Sequence, residues 1–571
     1  MSDEIIHPPE PVEPGAGKPV QANPTNRPNE EAAGSERTEL DVLEEGIRRR
    51  ARAARWTMLL VVGILVGGGF WAGVTMLGYA PGEPEPVEEL LVGPFGELQL
   101  EWFESLSLSA RVNKRMETEK KELFRKAAEE FLAKAREVDP TLEEPFRKLT
   151  DTMGGHDQVS LIVADPYDAL SGAVGAVNDV LAQLHPRFLL DVEPFEGLLD
   201  EQYLLGGMIC TYEVLEELRF QRPAGGEPAD LLVVRRRDYM PADSYRQGFV
   251  RRKDSKVALV LQDNATAFAA DYLFPSFERP DAAFDLRFGD NVDPELKAPY
   301  RAMVELAQLE LKQAAGAEEE TFRTVVSAVA KRSVIYRKID YNVEKLGVRL
   351  KRPDGLLWPR SFPYEVQRKN TEANKRGEKL IPEEDRKAFF RVSEELDDDE
   401  ANRILAAVSR LISRSVGFHE ARHVFDIRDD VDAGTCVRAQ VHLADDDPDF
   451  LRDVDLEMRS HLTQMVESPQ TVRLTLLTLL SHLYQRSGTV YFYAARTLLH
   501  PLAWRDPDDK PPYGLAYAEE LTLRLAALEP EELQSRAMAV WKECYGEEYP
   551  ALKLEEAEAE ASAGGCSIAG W

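Results

Sequence analysis

The clearest chemical signal in the chain is His-Glu-Ala-Arg-His, running from His419 to His423. Two histidines four positions apart stand one above the other on a single helix face, so both imidazoles can reach one metal ion. Glu420, between them, sits beside that face and can take a proton from an attacking water. This chemistry needs a helix, and the flanking pattern predicts one. Leu405, Val408, Ile412 and Val416 recur at helical spacing, and His419 with His423 continues the same stripe. Arg403, Arg410 and Arg414 fall on the opposite, solvated side. The histidines thus extend a buried face, where two imidazoles and a carboxylate are costly unless a cation or several hydrogen bonds compensate. The competing reading is a pair of ordinary core or surface histidines.

A catalytic zinc site needs a third protein ligand and an open fourth position. Downstream, Asp453 to Glu467 reads as a helix with Val454, Met458, Leu462 and Met465 on its apolar face. Glu457 lies on or beside that face and is the favoured third ligand. Ser460 is small enough to let the two helices approach closely. His461, one turn after Glu457, is either an outer partner or the ligand in its place. Asp426, three residues after His423, is a further rival on the metal helix itself.

His419, Glu420 and His423 followed on a later helix by Glu457 resembles the gluzincin class of zinc metallopeptidases. The resemblance covers about 60 residues and implies that His419, His423 and Glu457 bind Zn²⁺ while Glu420 is the general base. The chain has Glu-Met-Arg-Ser from Glu457 where many such enzymes have Glu-x-x-Ala or Glu-x-x-x-Asp. It has VFDIRD after His423, without the glycine and third histidine of metzincins. A hydrolase of this kind also wants a donor for the developing oxyanion. His482, Tyr484, Tyr491, Tyr493, Arg496 and His500 come next along the chain, and the sequence does not choose among them.

The elements that must position these groups are set in a chain of 571 residues, long enough for two or three domains and a large core. Its 101 acidic against 70 basic residues give a net charge of −31, which disfavours binding to nucleic acid. Cys210, Cys436, Cys544 and Cys566 form no CxxC pair, leaving one or two disulfides open.

The run from Trp56 to Tyr79 contains no charge and is long enough to cross a bilayer. Arg48, Arg49, Arg50, Arg52 and Arg55 precede it and acids come after, which predicts a cytoplasmic N-terminus. The expectation is a single-pass protein of the bacterial inner membrane with a periplasmic body. Gly63, Gly67, Gly69 and Gly73 have the small-xxx-small spacing that would let the span form a homodimer.

The expected fold is α+β and mostly helical. It comprises a disordered tail with a basic juxtamembrane segment (1–55), the span (56–79), an α+β region (80–290), a helical metallopeptidase-like domain (291–550) and an acidic flexible tail (551–571). Lys114 to Val138 reads as a helix, and strands are expected at 159–164, 187–192, 231–234 and 257–261. Phe362 to Asp385 reads as a long exposed loop. The function these patterns favour is a membrane-anchored zinc metallopeptidase acting on a peptide or protein. The rival is a membrane-tethered scaffold whose metal is structural or absent.

Overall fold

A computed structural model describes residues 85–105, 114–155, 166–199, 202–223, 225–238, 247–250, 257–289, 292–346, 348, 350, 353, 355–359, 361–441, 447–485, 488–505 and 510–555. The chain divides into two units, Met1–Glu83 and Pro84–Trp571. The first lies outside the described residues, and all the described helices and strands belong to the second.

After short helical segments at Pro86–Leu90 and Leu91–Phe95 come four longer helices: α1 (Gly96–Ser105), α2 (Lys114–Val138), α3 (Pro140–Gly155) and α4 (Pro166–Leu184). The apolar stripe of α2, Phe124, Ala128, Phe131, Ala135 and Val138, packs against Phe95 and Phe146 among others, its first four residues buried and Val138 partly so. Phe131 meets Phe146 edge to face at 4.9 Å, the arrangement aromatic quadrupoles favour.

The sheet comes next, with β1 (Phe188–Leu199), β2 (Gln202–Gln221), β3 (Ala229–Arg236), β4 (Gly248–Val250) and β5 (Val257–Leu261) in spatial order β1-β2-β3-β5-β4. Among the described strands only β3 and β5 are parallel. β5 reads VALVL because it is buried on both faces: Ala258 and Val260 join the helical core, Val257, Leu259 and Leu261 a second cluster. β2, twenty residues long, was not expected from the sequence pattern. Its glycines at the start and a bulge between Val214 and Glu216 break the alternation that reveals strands. The run 159–164 lies outside the described residues.

Helices then dominate: α5 (Lys297–Ala314), α6 (Glu319–Lys345), α7 (Phe362–Lys375), α8 (Glu383–Leu396), α9 (Asp399–Arg428), α10 (Thr435–Gln440), α11 (Pro448–Glu467), α12 (Val472–Gln485), α13 (Val490–Ala503), α14 (Leu515–Ala526) and α15 (Pro530–Tyr545). α7 corrects the loop expected at Phe362 to Asp385. Phe362, Val366 and Ala373 do form a buried stripe, but its remaining place is taken by Asn370. That side chain is buried because its Oδ1 accepts the amides of Leu380 and Ile381, each at 3.0 Å. A core position filled by a polar residue hides the period.

The acidic tail is corrected at its start. Lys553–Glu555 forms β6, paired with Arg219 to Gln221 of β2, and Leu552 before it is buried. A disulfide joins Cys436 on α10 to Cys544 on α15, tying the segment after α9 to the last helix. Closing a loop of about 100 residues stabilises by about 4–5 kcal/mol in the chain-entropy account.

The single-pass inner-membrane architecture is also corrected. Among the described residues no helix is long and apolar enough to cross a membrane. The apolar helices α12 and α13 have 14 residues each, about 21 Å of rise against a hydrocarbon thickness of about 30 Å. Long helices such as α2, α6 and α9 carry charges along their length. The run Trp56 to Tyr79, with its glycine spacing, lies outside the described residues.

Candidate metal centre

α9 is thirty residues long and begins where Asp398 accepts the amides of Glu400 and Ala401. Leu405, Val408, Ile412 and Val416 are all buried, each such side chain contributing about 1.5–3 kcal/mol. One face of the helix crosses the sheet: Phe418 meets Phe220 at 5.0 Å and Gly417 fits against Leu218 and Phe220. α11 starts from a similar cap, Asp447, and packs along α9. Gln464 of α11 donates to the Ser415 hydroxyl of α9 at 3.0 Å, and Thr471 donates to the same oxygen. Ser460 is fully buried, in keeping with the close approach expected of it.

These two helices bring His419, His423 and Glu457 together. The two histidine Nε2 atoms are 3.1 Å apart. Glu457 Oε2 lies 3.4 Å from His419 Nε2, and Glu457 Oε1 lies 3.7 Å from His423 Nε2. Metal–ligand bonds of about 2.0–2.1 Å in a tetrahedron require ligand atoms about 3.3–3.4 Å from one another. The histidine pair lies near that value, and the two carboxylate contacts, made by different oxygens, are both longer than an ordinary hydrogen bond. The donor set therefore fits a zinc ion. Two imidazoles and one carboxylate leave a fourth position for water.

The rival ligands have other work. Asp426 accepts from Arg422 at 3.3 Å, and Arg422 in turn donates to the Pro550 carbonyl. His461 stands beside the centre, its ring 4.7 Å from that of His419 and its Nε2 3.9 Å from Glu457 Oε2. Its Nδ1 is 3.3 Å from Gln464 Oε1, which assigns the proton to Nδ1. His461 stands beside the three converging groups rather than among them.

Behind the helices, Arg459 bonds Asp455 at 2.6 Å and lies over the Tyr545 ring, while Arg422 lies over Trp541. Gly434 N and Tyr545 OH both donate to Asp455. This buried ionic layer fixes α9 and α11 against α15.

Among the oxyanion candidates, Tyr484 bonds Thr522, Tyr493 packs on Phe450, and His500 bonds and stacks on Tyr517. His482 is different: it stacks on Tyr491 at 5.1 Å and feels the charges of both Glu457 and Arg287. Glu420 is 5% exposed and lies against Gly248 of β4. That strand carried no recognisable signal, because its three residues come after a charged, aperiodic stretch.

Burial keeps the imidazoles neutral. Loss of solvent pushes His419, His423 and His482 down to about 4 and His461 to about 3. Neutral rings retain the lone pairs that a metal needs. Unfolded histidines titrate near 6.5, so folding favours the neutral forms; that stability is complete above pH 6.5 and is lost as pH falls toward 4. Asp426, raised by burial to about 6, and Glu310, Asp453 and Glu467, also raised by burial, act in the opposite sense, against the four imidazoles and His500, which burial lowers as well. Metal-free protein, kept in chelator, should therefore lose Tm steadily between pH 6.5 and 4. A Tm that is flat or rising on acidification across that window would contradict this electrostatic picture.

No family model, no curated protein and no solved structure matches the chain. No relative bears on the metallopeptidase expectation, and the likeness to gluzincins rests on the motif residues alone.

Proposed function

We propose that the chain is a zinc-dependent hydrolase acting on peptide bonds. The observation that carries this reading is the convergence of His419, His423 and Glu457, with one ligand atom from each within 4.8 Å of the others, and Glu420 on the same helix as the two histidines. A bound zinc would supply a Lewis acid that polarises a carbonyl and acidifies a water. His419, His423 and Glu457 would hold the ion. Glu420 takes the proton of the attacking water and later delivers it to the departing amine nitrogen.

The test is hydrolysis of a pool of internally quenched peptides by purified protein. Cleavage abolished by a zinc chelator and restored by added zinc is the expected result. A protein that binds zinc and cleaves no peptide in the pool would overturn the reading in favour of a structural metal.

A further inference from the structure

Gly248 opens β4, yet its backbone gives no reason for a glycine: φ lies outside the left-handed region, where side chains are excluded. The reason lies across the gap to α9. A Cβ at position 248 would stand 2.6 Å from Glu420 Oε1, 2.7 Å from its Cγ and 2.8 Å from its Cδ. No methyl group fits at such distances.

Neither side of the contact is free to retreat. β4 is held to β5 by the pairing Gly248 with Val260 and by the Leu261 amide, which donates to the Gln247 carbonyl at 2.8 Å. α9 is held to the sheet by Phe418 on Phe220, two residues before Glu420. The one soft element is the Glu420 side chain itself.

We infer that Gly248 is a positioning residue for Glu420: the bare main chain of β4 forms a wall against the carboxylate and confines its orientation. This rests on the reading of Glu420 as the proton acceptor. A residue with a Cβ at 248 must drive the carboxylate away, and a displacement near 1 Å at a reacting group can lower a rate about 100-fold.

The experiment combines Gly248→Ala with Glu420→Ala in the full chain. In the wild-type background, Gly248→Ala should lower Tm by about 2 °C or more. In the Glu420→Ala background, where the obstructing atoms are gone, it should not lower Tm at all. Equal losses in the two backgrounds would overturn the proposal. If Gly248→Ala alone fails to fold, the double variant should fold, and its failure would overturn the proposal too.

Cobalt-loaded protein gives a second readout that needs no substrate. The pH midpoint of its visible spectrum should move by about half a unit or more in Gly248→Ala, at unchanged metal content. Hydrolysis should fall about 10–100-fold in kcat with KM nearly constant. An unmoved cobalt midpoint overturns the positioning role. Should the wild type bind cobalt and cleave nothing, the hydrolase reading fails, while the Tm cycle and the cobalt spectrum still decide the role of Gly248.

Discussion

Glu420→Gln should lower hydrolysis by about 10³-fold or more and leave zinc at about one ion per chain. The amide has nearly the shape of the carboxylate, so the packing against Gly248 is preserved. It cannot accept a proton, however, and the route from attacking water to leaving nitrogen is closed. The metal is untouched because Glu420 is not one of the three converging ligands. Zinc content by atomic absorption and kcat on the best quenched peptide check the two halves together. Activity within about tenfold of wild type would show that another group serves as base.

Glu457→Ala should weaken zinc binding by more than about 100-fold, beyond the tenfold to 100-fold typical of outer partners. The carboxylate meets both histidines, at 3.4 and 3.7 Å, and its loss leaves two neutral rings with no charge to balance the ion. Asp426→Asn should cost less than tenfold by comparison, since that carboxylate faces Arg422 rather than the histidines. Competition titration with a chromophoric chelator measures both. Equal losses in the two variants would return Asp426 to the ligand set.

The site was more legible than the scaffold around it. His419, Glu420 and His423 announce themselves because ligand spacing and the apolar period of α9 coincide, and α11 shows its face through Val454, Met458, Leu462 and Met465. The choice of Glu457 over Asp426 comes from tertiary packing: Arg422 reaches Asp426 along the same helix, a pairing that spacing allows without requiring. Gly248 was invisible for a different reason. A glycine chosen for closeness to a residue 172 positions later has no local signature. The long strand β2 and the helix α7 failed to show because bulges, glycines and a buried asparagine interrupt periods that packing nonetheless enforces. His482 stands among several histidines and tyrosines of α12 and α13, and only the packing of those helices sets it apart.

X-ray absorption at the zinc edge of the loaded full-length protein tests the metal centre most directly. The proposed ligand set predicts four light-atom neighbours at about 2.0–2.1 Å, with the multiple-scattering pattern of two imidazoles, and loss of that pattern in His419→Ala and His423→Ala. A zinc shell containing sulfur, or one of oxygen alone that survives both substitutions, would place the metal elsewhere and contradict it.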